Sequence, residues 1–152
     1  MEFLKIINKQ FESIYDETEL QTVNITSEEI EKVIELANMP IPDLLLDIFK
    51  TGKSYGIETV KENKIIQILN VYDILDDDIY YPHFIKQMKR GIIFGNDLGD
   101  GLYFYSEGKE GIGIYAVGGT VGDYYNNAFK LASTFEDFFI KGIGIDVLIE
   151  KF

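Results

Sequence analysis

Residues 90–119 read RGIIFGNDLGDGLYFYSEGKEGIGIYAVGG, and the rest of the chain can be arranged around them. Residues 91–95 form a short apolar run, 96–101 are dense in Asn, Asp and Gly, and 102–106 alternate aliphatic and aromatic side chains with tyrosines. That order is strand, turn, strand. A second turn over 106–111 is centred on Gly108, where positive φ carries little steric cost, and 111–117 reads as a third strand. The expectation is a β-meander. Period-two alternation sets Leu102 and Phe104 on one face with Tyr103 and Tyr105 on the other. It also sets Ile112, Ile114 and Ala116 opposite Gly113, Tyr115 and Val117, so the sheet is expected to have one greasy and one tyrosine-rich face.

Upstream, Leu4, Ile7, Phe11 and Ile14 recur at helical spacing and predict an amphipathic helix over 1–15. Thr26-Ser-Glu-Glu29 is a capping box, opening a helix with Ile30, Val33, Ile34 and Ala37 inward and its glutamates solvated. Pro40-Ile-Pro42-Asp43 leads into a central apolar helix over 44–49, with Gly52 as a left-handed terminator. Residues 55–61 and 65–71 read as a hairpin, 73–81 as an exposed acidic loop, and 82–90 as one or two basic helical turns. Downstream, 120–127 reads as a long loop or bent edge strand and 128–132 as a last strand. Ser133-Thr-Phe-Glu136 starts a short helix ending at Gly142, and Ile145, Leu148 and Ile149 dock the C-terminal stretch.

Composition limits the chemistry. At 152 residues with 46% hydrophobic content the chain is expected to form one domain over 1–152. It has no cysteine, which removes disulfides and thiol catalysis. The N-terminus lacks the basic and continuous apolar regions of an export signal, and no apolar run approaches the roughly 20 residues of a membrane span. The expectation is a cytoplasmic protein that does not engage membranes. A net charge of −12, from 26 acidic and 14 basic residues, repels phosphate backbones, so direct nucleic-acid binding is not expected and a basic protein partner is.

The motifs give no catalytic, cofactor or metal site. No glycine run ends in the lysine and hydroxyl pair of a nucleotide loop. Asn96, Asp100 and Glu107, with Gly101, match part of a calcium loop, but Leu98 occupies a ligand position and strands flank it. His83 is the single histidine and has no nucleophile elbow or metal spacing beside it. A carboxylate pair could serve a hydrolase, yet sequence spacing among 26 acids selects no pair. Acids beside aromatics suit a protein interface, because tyrosine supplies contact area at low rotamer cost while carboxylates steer and pair with Lys or Arg. The candidate partner-binding residues are therefore Asp76, Asp77, Asp78, Tyr80 and Tyr81 in one segment, Asp97, Asp100, Tyr103 and Tyr105 in the meander, and Asp123, Tyr124 and Tyr125.

The helix over 27–38, the Pro40-Ile-Pro42 lead into 44–49, the segment GIIFGNDLGDGLYF from Gly91 to Phe104, Ile114-Tyr115 and the closing stretch 133–142 occur in an order that resembles the SUKH superfamily. That superfamily groups bacterial immunity proteins of polymorphic toxin systems with fungal cell-wall-synthesis regulators. The likeness covers about 26–142. It implies an α+β fold with a central, mostly antiparallel sheet flanked by helices, and no enzymatic activity. It further implies an immunity protein, or antitoxin, that neutralises a cognate toxin in the cytoplasm, commonly a nuclease domain such as that of LXG-type toxins. A scaffold or regulatory module is the alternative, and a carboxylate hydrolase a more distant one.

Overall fold

The computed structural model describes residues 2–15, 22–76, 80–118 and 122–152. Within them the chain forms an α+β fold around one seven-stranded sheet in which strand order follows sequence order and every neighbouring pair is antiparallel. The elements are α1 (Phe3–Ile6), β1 (Phe11–Ser13), α2 (Ser27–Ala37), α3 (Asp43–Lys50), β2 (Tyr55–Thr59), β3 (Ile65–Ile68), α4 (Val71–Leu75) and α5 (Tyr80–Met88). They continue through β4 (Gly91–Asn96), β5 (Gly101–Gly108), β6 (Gly111–Gly118), α6 (Tyr124–Asn127), β7 (Phe129–Ala132), a π-helical turn (Glu136–Ile140) and α7 (Ile145–Lys151).

The meander forms as its alternation predicts: β4, β5 and β6 pair in sequence, with Ile93 opposite Phe104 and Phe104 opposite Tyr115. The β5–β6 turn obtains its positive φ at Gly111 (+90°) and not at Gly108. Gly108 is needed for space instead, since a Cβ there would lie 2.5 Å from the Tyr115 ring. The capping box of α2 is present, with Thr26 Oγ1 accepting from Glu29 N and Glu29 Oε1 accepting from Thr26 N, both at 3.2 Å. Gly52 adopts the expected left-handed backbone (φ +69°) after α3.

The predicted N-terminal helix over 1–15 is corrected. Only Phe3–Ile6 is helical, and Phe11–Ser13 pairs with β2 as an edge strand, burying Phe3 and Phe11 and leaving Ile14 at the surface. Two aromatic anchors at a spacing of eight satisfy this layout as well as a helix stripe. The segment read as loop from Asp73 onward begins as a helix: Asn70 Oδ1 accepts from Asp73 N at 2.9 Å and caps α4, while Val71 and Ile74 are buried. The basic segment is likewise longer than expected, since α5 starts at Tyr80. At the C-terminal side Thr134, one residue after the expected cap, accepts from Asp137 N at 3.0 Å.

Both faces of the sheet are covered, which corrects the division into a greasy and a tyrosine-rich face. On one face Ile57, Ile66, Ile92, Phe94, Tyr103 and Ile114 pack beneath buried residues of α2, α3, α4, the π-helical turn and α7. On the other, Ile93, Leu102, Phe104, Tyr115 and Val117 pack beneath Tyr81, Phe84 and Met88 of α5 and Tyr124 of α6. Each buried large apolar side chain is worth roughly 1.5–3 kcal/mol. The α5–α6 layer is therefore integral to the fold.

Candidate partner-binding surface

Burial removes three predicted contact residues from the surface. Tyr81, Tyr103 and Tyr124 are at most 5% exposed. The Tyr103 hydroxyl donates to the Ile65 carbonyl at 2.8 Å, and that of Tyr81 lies 2.7 and 2.8 Å from the carbonyls of Leu36 and Gly91. The Tyr124 ring meets His83 edge-on at 5.1 Å and stacks over Phe104 at 6.3 Å. In all three the tyrosine's apolar ring enters a core, and in Tyr81 and Tyr103 the hydroxyl also reaches a carbonyl at the core's margin. Tyr105 is half-buried beside Phe135, and burial, with Glu136 nearby, pushes its hydroxyl pKa up.

The remaining described predicted residues fall on four separate elements. Asp97 and Asp100 belong to the β4–β5 turn. Asp97 Oδ1 accepts from the Gly99 and Gly101 amides, each at 2.9 Å, so this carboxylate braces the turn while Asp100 is exposed. Asp123 caps α6, accepting from Asn126 N at 3.1 Å and Asn126 Nδ2 at 2.6 Å, bonds that hold its carboxyl below the ordinary value. Gln87 of α5 fixes the approach to that cap by donating to the Gly122 carbonyl at 2.8 Å and accepting from Tyr124 N. Tyr125, next in the chain, is 40% exposed.

Asp76 is the exposed C-terminal cap of α4 and Tyr80 opens α5, whereas Asp77 and Asp78 lie outside the described residues. The calcium-loop reading fails on distance. Asp100 and Glu107 lie at opposite ends of β5, roughly 20 Å apart at about 3.3 Å per residue. Asn96 Oδ1 is taken by Leu98 N, and Glu107 pairs with Arg90 at 3.0 Å.

Sequence reading missed what α4 does with α2. The two helices pack against one another through the same core. Their outer sides expose Glu28, Glu31 and Glu35 of α2 and Asp73 and Asp76 of α4, with Lys32 the single exposed cation on the pair. The same two helices also expose two apolar side chains, Tyr72 at 58% and Ile34 at 38% exposure, although Ile34 was expected to point inward. Burial, and secondarily the charge of Asp76, push the Asp73 carboxyl pKa up. The usable signal was Asn70, a cap three residues before Asp73, followed by Val71 and Ile74 at helical spacing. Exposed aromatic and aliphatic side chains framed by carboxylates can bind protein: the apolar groups lose water on contact and the charges steer a cationic surface.

Residues 24–141 match the SMI1 / KNR4 family (SUKH-1). The chain belongs to this family. The matched span runs from just before α2 through the π-helical turn and includes α4, α5 and the β4–β5 turn; α1, β1 and α7 lie outside it. No curated protein matches the chain at a significant level. SUKH proteins are generally non-enzymatic and bind partner proteins in immunity or regulation, and membership gives this chain that protein-binding role. Among the described residues no helix is long and apolar enough to cross a membrane.

Proposed function

We propose that this SUKH protein, a single domain over 1–152, is an immunity protein that binds a cognate toxin in the cytoplasm and neutralises it without chemistry of its own. The toxin is a basic nuclease domain. The observation that carries the reading is the packed α2–α4 pair, which exposes five carboxylates together with Tyr72 and Ile34 on a chain of net charge −12. A nuclease must attract phosphate, so its functional surface is cationic. An acidic surface competes for that same field, and its apolar side chains supply the short-range contact that charge alone lacks. Asp100 and Tyr125 add exposed contacts at other points, with the half-buried Asp123 beside the latter.

The test is co-expression with a toxin domain encoded beside this chain, scoring survival and co-purification together. Rescue with a stable complex is expected. Neither rescue nor complex would reject neutralisation by binding and turn attention to a regulatory partner, the other role found in the family.

A further inference from the structure

Leu98 lies at the tip of the β4–β5 turn with φ +65° and is 57% exposed. Left-handed backbone is costly for bulky L side chains. Of the described non-glycine residues that adopt it, Asn38, Glu62, Asn63 and Lys89 are polar, and Leu98 alone is apolar. It belongs to neither core, so burial within the chain does not offset the strain. The neighbours nevertheless hold it firmly. Asn96 Oδ1 accepts from Leu98 N at 2.9 Å, and Asp97 ties down the next two glycines. Phe152, packed on Tyr103 at 5.3 Å and Phe129 at 5.7 Å, closes the back of the turn so tightly that a Cβ on Gly101 would meet its ring at 2.4 Å. Glycine at position 98 would adopt this backbone without strain. A braced turn thus holds a leucine side chain out to solvent beside the exposed carboxylate of Asp100.

Strain maintained by well-packed surroundings is characteristic of binding sites. Resting on the immunity reading above, we propose that Leu98 is an anchor for the toxin. Its side chain enters an apolar pocket on the cationic toxin domain, and Asp100 meets a Lys or Arg at the pocket's rim. Binding recovers outside the chain what the turn does not recover within it.

The test compares wild type, Leu98→Gly and Leu98→Asn, each titrated with the toxin domain encoded beside the chain and each unfolded thermally. Glycine and asparagine both tolerate the left-handed backbone. Both variants are expected to unfold at or above the wild-type temperature while binding at least tenfold more weakly. Unchanged affinity in both would overturn the anchor role and leave the immunity reading standing. A lowered unfolding temperature in both would also overturn it, by showing that Leu98 serves the fold from within. No binding by wild type would remove the immunity reading and this inference together.

Discussion

Tyr103 illustrates how much one side chain decides here. Its ring is buried in the main core and its hydroxyl donates to the Ile65 carbonyl, so burial, with Asp97 as a lesser cause, pushes its pKa far above the ordinary value near 10. Above about pH 10 the unfolded chain releases this phenolic proton while the folded chain keeps it. The folded state then binds more protons, and stability falls as pH rises, by up to about 1.4 kcal/mol per pH unit from this group. Tyr103→Phe is expected to cost about 1 kcal/mol at neutral pH through the unpaired carbonyl, yet to lose stability less steeply in alkali. Urea unfolding at pH 7 and above pH 10 checks both, and equal alkaline slopes would contradict the assignment. Gly108 offers a second case. Alanine there drives a Cβ into the Tyr115 ring, whose hydroxyl donates to the Gly111 carbonyl and accepts from Glu110 N. A loss of roughly 1–3 kcal/mol is expected from the urea midpoint; a neutral Gly108→Ala would show that the hairpin tip yields easily.

Among the elements, α2 was legible because its start is written locally. Thr26 and Glu29 satisfy each other's amides, and Thr26→Ala is expected to cost about 1 kcal/mol in thermal or urea unfolding. A change within a few tenths would mean that packing of Val33 and Ala37 alone fixes this helix. The meander was legible for the same reason, since alternation and turn residues act within a few positions. The N-terminal segment was not, because Phe3 and Phe11 obey tertiary anchors that either periodicity can accommodate. The Asp-rich segment misled in another way: like charges suggested a loop, whereas the Asn70 cap and two buried side chains favour the helix α4. For the candidate surface, alternation separated the faces of β5 but carried no information about what covers them. Tyr103 therefore read as a contact residue and is core, while Tyr72, Ile34 and Leu98 were passed over and stand exposed.

For the whole molecule the decisive property is where the charge sits relative to what is buried. The two cores consume most aromatic side chains, leaving the carboxylates of α2 and α4, the β4–β5 turn and the α6 segment outside. Exposed charges influence encounter more than fold, so Asp73→Lys with Asp76→Lys should leave the unfolding temperature nearly unchanged. The most direct measurement is the association rate of the wild-type chain and this double variant with the adjacent toxin domain, across ionic strength. A wild-type rate that falls steeply with salt, and a variant about tenfold slower at low salt with a flatter dependence, is the predicted result. Equal rates with equal salt dependence would contradict the α2–α4 surface as the place where the partner is met.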